Sequence, residues 1–127
     1  MGERARIRGE SPYEDEIGFS RALRVGERVL VSGTGPVFAD GGCDPDPAAQ
    51  ARRCFELIET ALAEAGATLA DVVRTRMLIV DAADAAAIGA VHRVVLGQVR
   101  PAATMVVVAG LLDRRWKVEI EIEAVVG

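Results

Sequence analysis

The sharpest pattern lies near the C-terminal end, where Val118, Ile120 and Ile122 alternate with Glu119, Glu121 and Glu123. A period of two puts the two sets on opposite faces of a strand, the apolar one against a core. Residues 72–80 and 103–111 read as two further strands, the first rich in β-branched side chains. Upstream, residues 17–25 alternate loosely, Gly26-Glu27 signals a turn and Val29-Leu30-Val31 follows, which is the pattern of a β-hairpin. Ser32-Gly33-Thr34-Gly35-Pro36 ends its second strand, and residues 40–45 form a loop.

Between the strands the period changes to that of a helix. Asp46 is placed to cap and Pro47 to open a helix that runs to Ala65 and stops at Gly66. Cys54, Leu57, Ile58, Ala61, Leu62 and Ala65 form its apolar stripe. Asp84 is placed to cap a second helix, which buries Ile88, Val91 and Val95 and closes at Gly97. The order is therefore ββαβαββ. It predicts a two-layer α+β domain over residues 17–127, with both helices on one face of the sheet. Residues 1–16 are polar and read as an irregular N-terminal segment.

The other face of that sheet lacks a helix to cover it. Its apolar residues, from Met105 to Val108 among others, favour assembly of several copies through the sheet. Three glutamates in a row on that face call for solvent, or for arginines or backbone N–H groups of another subunit, or a polar ligand, to meet them.

Composition narrows the classes of function. With 127 residues there is room for one domain, and aromatic residues make up only 4%, so the core is built from Ala, Val, Leu and Ile. A net charge of −4 argues against a broad nucleic-acid surface. No apolar run has the length of a membrane span, and the charged N-terminus is not a signal peptide. Gly2 is not a myristoylation site, because Arg6 stands where Ser or Thr is needed. A cytoplasmic protein is expected. Cys43 and Cys54 have neither CxxC nor metal-ligand spacing and read as reduced thiols.

Several segments together carry a family resemblance. They are residues 19–26 (Phe-Ser-Arg-Ala-Leu-Arg-Val-Gly), Val29-Leu30-Val31-Ser32-Gly33, residues 65–73, Arg100-Pro101-Ala102 and Val118-Glu119-Ile120-Glu121. In order and spacing they resemble the signatures of the Rid (YjgF/YER057c/UK114) family over residues 17–126. The resemblance implies a fold like that of trimeric chorismate mutase and a homotrimer with small-molecule clefts between subunits. It also implies hydrolysis of reactive imines or enamines to a 2-keto acid and ammonia, with no metal or bound cofactor.

The same resemblance implies roles residue by residue. Ser32 and Gly33 match the cleft Ser-Gly that binds a carbonyl, imine or water, and Phe19 matches an aromatic cleft wall. Either Glu119 or Glu121 matches the glutamate that positions water. The arginine that holds the substrate carboxylate normally follows Pro-Ala, but here Pro101-Ala102 is followed by Ala103 and Thr104, then Met105. A methyl group cannot replace a bidentate guanidinium. This resembles the subgroups of the family without that arginine.

Three functions follow. One is an imine or enamine hydrolase with Glu119 or Glu121 as base, Ser32 and Gly33 binding developing charge, and Arg76 as the replacement cation. The other reading of Arg76, and the favoured one, is a strand-surface residue paired with a glutamate of a neighbouring strand. The second is a trimer that binds a metabolite without turning it over. The third is action on RNA through Arg114-Arg115-Trp116-Lys117, against which stands Trp116 packed on its own fold. His92 is isolated from any Cys cluster and reads as a packing residue.

Overall fold

The computed structural model describes residues 3–127. Met1 and Gly2, the latter weighed above for acylation, lie outside the described residues. The strands are β1 (Arg4–Ile7), β2 (Ala22–Val25), β3 (Arg28–Thr34), β4 (Val72–Ile79), β5 (Ala102–Val107) and β6 (Val118–Val125). The main helices are α1 (Pro47–Glu64) and α2 (Ala85–Leu96). The sheet order is β1-β2-β3-β6-β4-β5, with β4 and β5 parallel and every other pair antiparallel.

The period-two reading of β6 holds: Val118, Ile120, Ile122 and Ala124 are buried while the glutamates face away. The buried set joins Val29 and Val31 of β3, Met77 and Ile79 of β4, and the stripes of both helices. The Asp46 carboxylate accepts from the Ala49 N–H with Pro47 in the first turn, so α1 begins as its sequence predicts. At its other end Gly66 takes φ +81°, and the Arg24 guanidinium donates to the Ala65 carbonyl at 2.7 Å. Arg24 thus ties the β2–β3 hairpin to the negative end of α1.

Two expectations are corrected. Residues 1–16 are not irregular throughout. Arg4–Ile7 pairs antiparallel with β2, so the core domain expected from residue 17 gains an edge strand from the N-terminal segment. The chain then turns through Glu14–Gly18 because the buried Glu14 carboxylate accepts the N–H groups of Gly9 (2.8 Å) and Ser11 (3.2 Å). Second, Met105 does not belong to the face opposite the helices. It pairs in register with the buried Met77 and packs against the core, and the next residue, Val106, takes the outer face beside Leu78. The strand also stops at Val107, short of the expected Leu111.

Candidate functional site

The outer face of the sheet is cross-strand paired. Arg76 on β4 is the register partner of Glu121 on β6, and their side chains meet at 3.0 Å. Arg28 on β3 meets Glu123 at 3.6 Å. Two of the three glutamates are therefore answered by arginines of the same chain. Arg76, nominated as a substrate-binding cation, is occupied in this way and does not line the main cleft.

Glu119 differs from both. The β3–β6 register shifts between Val31 and Thr34, and this bulge sets Gly33 against the Glu119 carboxylate. A Cβ on Gly33 would lie on the carboxylate itself, so glycine is what lets the carboxylate sit there. Two residues on, a Cβ on Gly35 would lie 2.5 Å from the Trp116 ring. The glycines of Gly33-Thr34-Gly35 are thus spaces for a carboxylate and an indole. Burial pushes the Glu119 carboxyl above the ordinary carboxylate range; the Arg21 charge opposes this and the Glu121 charge adds to it.

These groups open onto one cleft of about 970 Å³, lined by the N-terminal segment, the ends of β2 and β3, the flank of α1 and the loop before β6. Phe19, Ser32, Gly33, Glu119 and Glu121 all line it. The Ser32 hydroxyl donates to the Ser20 carbonyl at 2.7 Å, which leaves its oxygen free only to accept. Ala103, Thr104 and Met105 do not line the cleft; they sit on the edge strand β5, beyond β6 and β4.

Arg21 was not among the residues singled out from sequence, yet it lines the same cleft. Its Nη2 donates to the Gly33 carbonyl and its guanidinium lies 5.5 Å from the centre of the Phe19 ring. Burial lowers its pKa, with the Glu14 and Glu119 charges opposing, but a guanidinium stays charged at any working pH. Arg21 stands out only once the β2–β3 hairpin, continued by the Ser32 N–H donating to the Arg21 carbonyl, brings Gly33 against it, a contact with no local signal.

The loop before β6 forms the far wall. Trp116 is buried, and Arg115 is bound to Asp113 and to the Gly41 carbonyl. The basic segment Arg114–Lys117 therefore offers no exposed stacking ring. No helix among the described residues is long and apolar enough to cross a membrane.

A two-layer α+β sheet of the chorismate-mutase-like type, with a charged cleft at the β3–β6 bulge, is the class these features define. The Endoribonuclease L-PSP family model matches residues 11–126, and the chain belongs to this family, also known as YjgF/YER057c/UK114. It is 42% identical to a Mycobacterium tuberculosis member of that family of known structure, with a TM-score of 0.90 over 98% of this chain and 100% of the other. An uncharacterised protein of Streptomyces coelicolor is 37% identical over 94% of this chain and 90% of its own. Escherichia coli TdcF, crystallised with bound serine, shares 26% identity and a TM-score of 0.82 over 96% and 94% of the two chains.

Proposed function

We propose that the chain hydrolyses a small reactive imine or enamine in this cleft, in the cytoplasm and as a homotrimer, without a metal or bound cofactor. The observation that carries the reading is the Glu119 carboxyl, seated against Gly33, raised by burial and set near Arg21. A carboxyl raised above the ordinary carboxylate range holds a proton more readily than an exposed one, which suits it to take one from water. In the proposed step Glu119 takes a proton as water oxygen bonds to the imine carbon and the C=N electron pair moves to nitrogen. That proton passes to nitrogen, and Glu119 then relays the remaining hydroxyl proton to the same nitrogen as the O–H electron pair forms the C=O bond and the C–N bond breaks, so that a carbonyl product and ammonia leave. The Gly33 backbone and the Ser32 oxygen hold the reacting group against Phe19.

A relative crystallised with serine supports a small polar ligand in such a cleft. Trimer formation is supported by the uncovered edge strand β5, whose Val106 and Val107 are exposed. The family model's endoribonuclease description would suit an RNA-acting protein. The burial of Trp116 and the tethering of Arg115 favour the small-molecule reading instead.

The test generates 2-imino acids in place with an amino-acid oxidase and follows keto-acid release against a trapping reagent. The native chain is expected to accelerate release, and Glu119→Gln to reduce the effect roughly 100-fold or more. No acceleration above the uncatalysed rate would overturn hydrolysis and leave a metabolite-binding cleft.

A further inference from the structure

The cleft holds a cation that forms no ion pair with a carboxylate among the described residues. Arg21 has five N–H donors, and among the described residues its side chain makes one hydrogen bond, to the Gly33 carbonyl. Its Nε is buried without a partner. Two carboxylates lie nearby, but neither forms an ion pair with it among the described residues. The oxygens of Glu14 are taken by the N–H groups of Gly9 and Ser11, and Glu119 is turned onto Gly33. A half-buried guanidinium in this condition has given up water without gaining a counter-ion. A planar two-oxygen anion matches its unused fork.

The mouth of the same cleft is apolar. Ile17 and Leu112 are each 64% exposed and Phe38 is 42% exposed, and all three line the cleft that holds Arg21. A charged floor under an apolar rim suits an amphipathic ligand. We infer that Arg21 binds the carboxylate of a small monocarboxylate ligand whose apolar side chain rests on Ile17, Phe38 and Leu112. This rests on the cleft being the ligand site, as proposed above. It relocates the anion-binding function within the chain. Ala103 lies on β5, three strand positions from β3, or about 14 Å at the usual strand spacing. Arg21 is beside β3 itself.

Calorimetric titration of the full chain with 4-methyl-2-oxopentanoate and with its neutral amide tests this. The native protein is expected to bind the acid at least about ten-fold more tightly than the amide, the value of one good charge-assisted hydrogen bond. Arg21→Gln is expected to bring acid and amide to the same affinity. Arg21→Lys, which keeps the charge but not the fork, is expected to retain part of the difference and carries the test should Arg21→Gln fail to fold. Equal binding of acid and amide by the native chain, or no binding of either, overturns the inference. So does an acid preference that persists unchanged in both variants. If acid preference is absent while imines are still hydrolysed, Arg21 is not the carboxylate partner and the hydrolytic reading stands. If the preference is present and depends on Arg21 but imines are not hydrolysed, the inference holds and hydrolysis fails.

Discussion

The carboxylate of Glu119 fills the space in which a side chain at Gly33 would lie. Neither Gly33 nor Gly35 has positive φ, so the demand for glycine at both is one of space and not of backbone conformation. The two neighbours yield differently. Glu119 ends in a flexible side chain that can swing aside, whereas Trp116 is a buried ring. Gly33→Ala is expected to cost about 1 kcal/mol of stability and Gly35→Ala about 3 kcal/mol, read from urea unfolding. Activity should follow the opposite order of sensitivity per unit of stability, because only Gly33→Ala displaces the carboxylate directly.

Glu119 gives a pH signature of its own. Its folded pKa is raised above the ordinary 4.5 by burial. The protonated form therefore suits the folded state. Its contribution to stability is fully present below about pH 4.5 and is lost as pH rises through the raised folded value. Glu119→Gln should be more stable than the native chain at pH 8, with the difference shrinking toward pH 4. Thermal unfolding of the two proteins across that range checks it. A native chain more stable than the variant at pH 8 would mean that the Arg21 charge outweighs burial.

How much of this could be read along the chain depends on the range of the contacts. The β6 alternation and the α1 stripe are local periodicities, and both became the elements they predicted. Arg4–Ile7 is not local in this sense. Its alternation of Arg4 and Arg6 with Ala5 and Ile7 spans only four mostly exposed residues, and it is a strand because β2 offers it an unpaired edge. Arg21 and Gly33 are twelve residues apart and meet only across the β2–β3 hairpin. The pairing of Arg76 with Glu121 was one of two readings of a lone strand arginine, and only the β4–β6 register decides between them.

That pairing makes Arg76 a contrast to Arg21. The Arg76–Glu121 pair is substantially exposed on both sides, and such pairs contribute between nothing and about 1 kcal/mol. Arg76→Met is expected to change unfolding free energy by less than about 1 kcal/mol and to leave the acid-over-amide binding preference intact. Loss of that preference in Arg76→Met would transfer the anion-binding role to β4.

His92 links α2 to the sheet through Thr75, with Nε2 and Oγ1 2.8 Å apart and the imidazole edge-on to Phe55. Burial lowers its pKa below the ordinary 6.5. The unfolded chain therefore takes up the proton first as pH falls. The stability this site contributes is present above about pH 6.5 and lost as pH drops through the folded value. The native chain should lose stability on acidification from pH 7.5 to 5.5, and His92→Gln, which cannot titrate, should lose less. Parallel curves for the two proteins would count against a half-buried, neutral His92.

Gln50 is the polar residue on which the far wall of the cleft depends. It is fully buried in α1, its Nε2 donates to the carbonyls of Asp44 and Arg115 at 2.8 Å each, and its Oε1 accepts from the Lys117 N–H at 2.7 Å. One side chain thus binds the loop before α1 to the loop before β6, with Trp116 between the two residues it holds. Gln50→Leu keeps the volume but leaves three backbone groups without that partner, and a cost of about 2–4 kcal/mol is expected. The loss should be seen at Trp116 first: its fluorescence should shift to the red and become open to quenching by iodide at denaturant concentrations where far-ultraviolet dichroism is still native. Simultaneous loss of both signals would show that the loop has no stability separate from the core.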